Sequence, residues 1–169
     1  MYKRQLFDYT SFEDLGKGAA IPEGYTKIPT HFVYDVKHDG RHKARMVAGG
    51  HRTSTPVDSV YSGVVSLAGI RIITFLAELN DMELWGTDIG NAYLESYTKE
   101  KVCFVAGPEF KEYEGHTFII VKALYGLRSS GARWHDRLFD ALTLMGFTPS
   151  KADADIWMRD CGDHYEYIC

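Results

Sequence analysis

A predicted hairpin within residues 31–48 is the feature that most restricts the fold of this 169-residue chain. Phe32, Tyr34 and Val36 alternate with other residues, and alternation with a period of two is typical of a strand. Asp39-Gly40 follows, a dipeptide that favours a two-residue type I′ turn because both turn positions need positive φ. Residues 42–48 then return as a second strand. The sequence therefore predicts two antiparallel strands joined at Asp39-Gly40.

Two segments have the apolar period of helices. Residues 66–79 predict a helix that begins after the N-cap Ser66 and ends at Asn80. The residues expected near its inner face are Gly69, Ile72, Ile73, Leu76 and Leu79. Residues 131–145 predict a second helix, which Gly146 ends as a C′ glycine. The residues expected on its inner side are Trp134, Leu138, Leu142 and Met145.

The remaining predicted elements are short strands at 82–89, 101–105, 118–122, 156–159 and 164–169. Residues 1–30 show no clear period, so an irregular segment is expected there. Helices and strands are mixed without strict strand–helix alternation, which indicates an α+β fold.

Composition and charge exclude several classes of protein. The net charge is −4, which rules out a uniformly basic nucleic-acid binder but not a local basic patch. No apolar run approaches the roughly 18 residues of a membrane span, so no membrane association is expected. The start of the chain has no secretory signal pattern, which predicts an intracellular protein. Cys103, Cys161 and Cys169 form no CxxC pair, so neither a disulfide framework nor a structural zinc site is expected. This cysteine usage predicts a reducing compartment.

The predicted hairpin and the loop after it are basic. Residues 37–52 carry five Lys and Arg side chains against Asp39 alone, a balance of +4, so the rest of the chain carries −8. The cations are Lys37, Arg41, Lys43, Arg45 and Arg52. A period of two places Arg41, Lys43 and Arg45 on one face of the ribbon, where they suit binding to phosphates. The alternative is an ordinary solvated hairpin.

Two further segments carry candidate chemistry. Asp88 ends a predicted strand and is followed by Ile89, Gly90 and Asn91, a pattern that suits a carboxylate ligand for Mg²⁺; the alternative is an aspartate that caps a turn. Residues 122–131 form a glycine-containing break between a buried strand and a helix. Its N–H groups and Arg128 suit contact with a nucleotide or a nucleic-acid backbone; the alternative is a plain strand-to-helix loop.

Taken in order, these segments resemble the reverse transcriptase domain of copia-type LTR retrotransposons. The resemblance begins near Ile21-Pro22 and continues to Cys169. Its motifs are the hairpin at 28–48, Ser62-Gly63-Val64-Val65 with Ile70-Arg71, Thr87–Leu94, the intact Leu124-Tyr125-Gly126-Leu127 with Trp134 in the next helix, and Ser150–Ala154. No single motif is decisive, but the ordered set is specific.

The resemblance implies a right-hand polymerase fold with fingers and a partial palm built on an antiparallel sheet. It divides the chain into an N-terminal segment with the fingers hairpin (1–63), a palm part with the first catalytic motif (64–95), a second fingers part (96–128), and a palm helix with partial palm sheet (129–169). The chemistry implied is template-directed nucleotidyl transfer with two Mg²⁺ ions, acting on a primer–template of RNA or DNA and a deoxynucleoside triphosphate.

The resemblance also implies roles for individual residues. Asp88 is the expected catalytic and metal-binding carboxylate, and Tyr93 is the expected steric gate against a ribose 2′-OH. The other residues expected at the nucleotide are Lys43, Arg45, Ile89, Tyr125 and Gly126. Those expected to contact nucleic acid are Arg41, Arg52 and Arg128.

The sequence departs from the family pattern in two places. Ser129-Ser130-Gly131 stands where the family has a Gln-Ala-Pro-like stretch, so a favoured proline at the helix start is missing. The last strand stops before the family's Asp-Asp hairpin, so the second and third catalytic carboxylates are expected to be absent. Asp153 and Asp155 precede the last two strands and are not expected to replace them. One carboxylate cannot hold two Mg²⁺ ions, which predicts that the chain alone does not polymerise.

Three interpretations remain open from the sequence. The first is an amino-terminal fragment of a copia-type RNA-directed DNA polymerase that is inactive in polymerisation by itself. The second is a non-catalytic nucleic-acid-binding remnant or interaction module. The third is the product of a pseudogene. An unpaired strand at the C-terminal edge also predicts self-association or poor solubility.

Overall fold

The computed structural model describes residues 6–54 and 60–169 and divides the chain into two compact units. The first unit comprises Met1–Tyr61 and Asn91–Trp134, and the second comprises Ser62–Gly90 and His135–Cys169. Each unit therefore combines two stretches of chain. The α+β class expected from the sequence is confirmed, while the assignment of fingers and palm at 63, 95 and 128 stays a prediction.

The first unit contains a four-stranded sheet in the order β1-β6-β5-β2. Its strands are β1 (Phe12–Lys17), β2 (Thr26–Lys27), β5 (Val102–Val105) and β6 (His116–Ile120). β6 pairs antiparallel with both β1 and β5, whereas the short β2 runs parallel to β5. The prediction of an irregular segment over 1–30 was therefore wrong for β1 and β2, and its first five residues lie outside the described chain. β1 shows no alternating apolar pattern in the sequence, because Phe12 is its one buried side chain.

The predicted hairpin forms, with β3 (Thr30–Val36) antiparallel to β4 (His42–Ala48). Its turn differs from the predicted type I′ turn. The N–H of Gly40 donates to the Lys37 carbonyl (2.8 Å), the N–H of Lys37 donates to the Arg41 carbonyl (2.9 Å), and Gly40 has φ +77°. Asp39 is not among the residues with positive φ. The connection is a three-residue loop whose single left-handed position is taken by glycine.

Aromatic packing holds the first unit together. Phe104 and Phe118 are completely buried on adjacent strands of the sheet, with ring centroids 5.5 Å apart. Phe12 and Phe110 pack against both rings from other parts of the unit. Met46 brings the hairpin into the same buried cluster. Burying such rings supplies much of the hydrophobic stabilisation of a domain this size.

The second unit contains helix α1 (Leu67–Leu79), which begins and ends where the sequence predicts. The Ser66 hydroxyl accepts a hydrogen bond from the Gly69 N–H (2.9 Å), and Asn80 ends the helix by donating its N–H to the Leu76 carbonyl (3.1 Å). The buried face was predicted less well. Gly69, Ile73 and Ala77 are buried, but Ile72 and Leu79 are exposed.

Helix α2 (Ser130–Leu144) starts one residue before its predicted position. Its C-terminus is a Schellman motif, in which the Phe147 N–H donates to the Leu142 carbonyl and Gly146 has φ +86°. The predicted C′ glycine is therefore confirmed. Leu142 is buried as expected, whereas Met145 is exposed.

The second unit also contains a three-stranded antiparallel sheet in the order β7-β8-β9. Its strands are β7 (Thr148–Pro149), β8 (Trp157–Asp160) and β9 (Tyr165–Ile168). A small core forms where Trp157 and Phe147 pack with Leu142 from α2. β7 and β9 are the two edge strands of this sheet within the described residues, and β9 is the C-terminal strand for which an open edge was predicted.

The strand predicted at 82–89 is absent. Residues 82–89 have no regular structure, and they pair with no strand in the described part of the chain. An extended segment needs a neighbour for its backbone hydrogen bonds, and pattern alone does not supply one. Leu84, Trp85 and Ile89 are all exposed, with Trp85 87% accessible.

Among the described residues, every helix is too short or too polar to cross a bilayer.

Replacing Phe118 with alanine tests the aromatic core. The ring is completely buried, so Phe118→Ala should lower the free energy of unfolding by about 3–5 kcal/mol. The matched control is Phe75→Ala, which removes the same atoms from a side chain that is 64% exposed and should cost less than about 1 kcal/mol. Urea unfolding followed by circular dichroism measures both, and equal losses would contradict this assignment of the core.

Candidate nucleotide and nucleic-acid site

Strand β4 presents a polar face and a buried face. Met46 and Ala48 are buried, while Lys43, Arg45 and Val47 occupy the alternate positions and are partly exposed. The period of two seen in the sequence therefore places Lys43 and Arg45 side by side, as predicted. Strand geometry keeps their charged ends on one side of the ribbon.

The loop at 124–128 attaches to the end of β4 through backbone contacts. The Ala48 N–H donates to the Tyr125 carbonyl at 2.7 Å, and Val47 forms a parallel bridge with Tyr125. Gly126 has φ +89°, and a Cβ atom at that position would lie 2.1 Å from the Ala48 carbonyl oxygen. Only glycine fits both the backbone conformation and the space.

Three of the predicted nucleotide-binding side chains meet at this junction. The rings of Tyr93 and Tyr125 lie 4.9 Å apart, and the Arg45 guanidinium lies 5.4 Å from the Tyr125 ring centroid, within the range of a cation–π interaction. Tyr93 comes from a single 3-10 turn, Ala92–Glu95. Arg45 is partly exposed as a residue, and its Nε is buried without a hydrogen-bond partner.

The predicted nucleic-acid contacts have different surroundings. Arg128 is exposed and donates from Nε to the Gly50 carbonyl (3.1 Å), which joins the loop to the turn after β4. Arg52 is exposed in that turn. Arg41 lies in the hairpin loop rather than on the strand, and it binds the Asp39 carboxylate at 2.6 Å. These hydrogen bonds hold the pKa of Asp39 below its usual value.

Asp88 and Ile89 belong to the second unit, where both are exposed in the irregular segment before Asn91. Among residues 6–54 and 60–169, no group of three potential metal ligands includes Asp88. Two Mg²⁺ ions 3.5–4 Å apart need several oxygen ligands in common. The described residues around Asp88 therefore do not fit a two-magnesium centre, and its role stays a prediction.

Asp153 and Asp155 have structural partners in the second unit. Asp153 accepts a hydrogen bond from the Ser66 N–H (3.0 Å) at the start of α1, and this bond is the main cause of its lowered pKa. Asp155 lies 2.7 Å from His135 Nε2. Both carboxylates therefore have structural partners within the second unit, and the expectation that neither replaces a catalytic acid stays a prediction.

A cavity of about 350 Å³ in the first unit was missed by the sequence reasoning. Lys99, Lys101 and Arg133 contribute cations to its lining, and Glu100 lies between them. The Glu100 carboxylate accepts hydrogen bonds from the Ser129 N–H (3.0 Å) and hydroxyl (2.6 Å). It caps α2 at the point where the family's proline is missing. The Lys-Glu-Lys run beside β5 was the sequence signal for this cavity.

Exchanging Gly126 for alanine tests the attachment of the loop to β4. Gly126→Ala should lower the free energy of unfolding by about 2–5 kcal/mol, from backbone strain and from overlap with the Ala48 carbonyl. Gly40→Ala is the control, because Gly40 also has positive φ (+77°) but nothing lies within 4 Å of the added Cβ. It should cost about 1 kcal/mol. Thermal unfolding of both variants measures the difference, and similar losses would argue against the close contact.

Comparison with curated proteins gives relatives over most of the chain. This chain is 26% identical to the retrovirus-related Pol polyprotein from transposon TNT 1-94 of Nicotiana tabacum, over 82% of the residues of this chain. It is also 26% identical to the Pol polyproteins from transposons RE1 and RE2 of Arabidopsis thaliana, over 87% of its residues in each case. The chain spans 11% of the length of each of these relatives.

No solved structure matches the chain significantly. A family model does: residues 18–168 match the model described as reverse transcriptase (RNA-dependent DNA polymerase). The match includes the hairpin, the Tyr93 turn and the 124–128 loop. The resemblance to copia-type retrotransposons is confirmed by the plant transposon relatives. The chain belongs to the reverse transcriptase (RNA-dependent DNA polymerase) family.

Proposed function

We propose that this chain supplies the nucleotide-binding part of a retrotransposon reverse transcriptase, with fingers in the first unit and part of the palm in the second. The observation that carries the proposal is the junction of Arg45, Tyr93 and Tyr125 next to Gly126. These residues come from three segments separated by tens of positions, and the resemblance assigns all of them to one pocket. Packing of this kind supports a shared role.

The chemistry of the junction suits a deoxynucleoside triphosphate. Lys43 and Arg45 supply cations for the phosphate oxygens, and guanidinium groups bind such oxygens in a bidentate manner. The Tyr93 and Tyr125 rings supply flat apolar walls for the sugar and base. We assign Tyr93 to the exclusion of a ribose 2′-OH, since a fixed aromatic wall leaves no room for the extra oxygen.

The basic hairpin and Arg52 and Arg128 are assigned to the primer–template. Electrostatic attraction to phosphates supplies most sequence-independent affinity for nucleic acid. A polymerase must hold any template sequence, so this kind of contact fits its task. The partners proposed are therefore an RNA or DNA primer–template and, for activity, the remaining part of the polymerase. We also propose an intracellular, reducing setting, because Cys103, Cys161 and Cys169 are far apart in the sequence and odd in number.

Asp88 is proposed as one catalytic carboxylate of the complete enzyme. Residues 1–169 by themselves are proposed to be inactive in polymerisation, because the described residues group no other candidate ligands with Asp88. The second candidate function is non-catalytic binding of nucleic acid. The observation that favours it is that the cationic face of β4 and the junction belong to the same unit, whereas Asp88 belongs to the other.

Removing one cation should weaken nucleic-acid binding in a salt-dependent manner. Three to four phosphate contacts predict a slope of about −3 to −4 for log K against log[salt], and Lys43→Gln should reduce its magnitude by about 1. Lys17→Gln is the matched control, since Lys17 is an exposed lysine of β1 in the same unit and should leave the slope unchanged. Fluorescence anisotropy with a labelled RNA–DNA primer–template measures all three proteins. Equal slopes would reject the hairpin as the binding surface.

Residues 1–169 should not extend oligo(dT) on poly(rA) with dTTP and Mg²⁺, while binding the same primer–template in the anisotropy assay. A known reverse transcriptase in the same mixture is the positive control. Processive extension that is lost in Asp88→Asn would contradict the proposed inactivity. Absence of both extension and binding would contradict both candidate functions.

A further inference from the structure

The turn between β8 and β9 brings together three side chains that neither the family match nor the proposed nucleotide site uses. One ligand atom from each of Cys161, His164 and Glu166 lies within 4.8 Å of the others. This is the one group of three His, Cys, Asp or Glu side chains at such distances in residues 6–54 and 60–169. All three belong to the second unit.

Strand pairing explains why the side chains meet. The Cys161 N–H donates to the His164 carbonyl at 2.9 Å, and Asp160 pairs with Tyr165 in the next position of the ladder. Cys161 and His164 therefore face each other across the turn. Gly162, with φ +92°, occupies the first turn position that a type II′ connection requires. Glu166 follows two residues after His164, so it lies on the same face of the ribbon.

The neighbours of these residues resemble the outer contacts of metal ligands. His164 Nδ1 lies 2.7 Å from the Asp163 carboxylate, which favours a proton on Nδ1 and leaves the lone pair on Nε2. Arg159 donates two hydrogen bonds that both end on Glu166 Oε2, so Oε1 keeps its lone pairs for a cation. The same guanidinium also interacts with the Cys161 side chain, so it holds two of the three candidate ligands next to each other. The Arg159 side chain is itself fixed over the Phe147 ring at 4.7 Å.

We propose that Cys161, His164 and Glu166 form a binding site for a single divalent transition-metal ion, with zinc as the biological occupant. One sulfur, one nitrogen and one oxygen are the ligand types that Zn²⁺ accepts, and a water would complete four-coordination. Magnesium and calcium prefer oxygen alone, so this site is chemically distinct from a polymerase metal centre.

Distances and charge agree with such a site. Ligand atoms around a tetrahedral zinc ion stand about 3.5 Å apart, given bond lengths of about 2.0–2.3 Å. The present separations of up to 4.8 Å close through small rotations of side chains. Cys161 and His164 are exposed and Glu166 is half-buried, so the rotations cross no packed core. Cys161 and Glu166 must exchange part of their contact with the Arg159 guanidinium for the metal ion. Residues 159–166 carry three carboxylates against one guanidinium, a balance that favours a bound cation.

The absence of a CxxC pair concealed the site from sequence reasoning.

Cobalt tests the site directly, because Co²⁺ replaces Zn²⁺ and gives a thiolate-to-metal absorption band. The untagged, reduced and metal-free 169-residue chain should bind one Co²⁺ per molecule with this band, and Zn²⁺ should displace it. Cys161→Ser should abolish the band. Cys169→Ser, the matched control for an exposed cysteine outside the cluster, should retain it. Isothermal titration with Zn²⁺ should show affinity at least about tenfold weaker in His164→Ala and in Glu166→Gln.

The proposal is overturned if the metal-free chain binds no Co²⁺ at micromolar concentrations, or if the band survives in Cys161→Ser. It is also overturned if His164→Ala and Glu166→Gln bind zinc as tightly as the parent chain. Circular dichroism confirms that each variant is folded, which is expected because the substituted side chains lie at a turn outside the core. Primer–template binding by the first unit is an independent measurement and should be the same in all of these variants.

Discussion

The contact between the end of β4 and the 124–128 loop is the constraint on which the candidate site depends. The Ala48 N–H donates to the Tyr125 carbonyl, and this backbone hydrogen bond holds the loop against the end of the strand. Gly126 permits the close approach, and Gly50 does the same from the other side, since a Cβ there would lie 2.4 Å from the Gly126 carbonyl oxygen. With the backbones this near, Tyr125 can reach both Arg45 and Tyr93. The glycines are therefore conditions for the geometry of the site, although they carry no chemistry themselves.

The aromatic core explains why this junction can be rigid. Phe104 and Phe118 fix the sheet from which the loop at 124–128 continues, and Met46 anchors β4 to the same cluster. Both partners of the junction thus start from one packed body within the first unit. Arg45 joins this body through its guanidinium, which lies 5.4 Å from the Tyr125 ring centroid.

The sequence predicted correctly those elements that depend on interactions between residues close together in the chain. The hairpin, the Ser66 cap and the Gly146 terminus were all readable, because alternation, capping and positive φ act over a few residues. β1 was missed and a strand at 82–89 was wrongly expected, because both outcomes depend on whether a distant strand is available to pair. The basic period of the hairpin already made Arg45 a candidate, but the shared role of Arg45, Tyr93 and Tyr125 came from the family resemblance, and no local pattern could place them together. The Glu100 contact with Ser129 was hidden for the same reason.

The two units differ in how fully they use their apolar residues. In the first unit the large buried side chains form one cluster across the sheet and the hairpin. The second unit has a smaller core around Trp157. The side chains of Leu67, Phe75 and Trp85 in this unit are each more than 60% exposed. Residues 82–89 have the pattern of a strand but form none, and α1 exposes apolar side chains beside its buried face. The apolar pattern of this unit therefore predicts more buried side chains than the structure contains. This mismatch explains why pattern analysis overestimated the regular structure of the second unit, where tertiary contacts rather than propensity decide which segments become ordered elements.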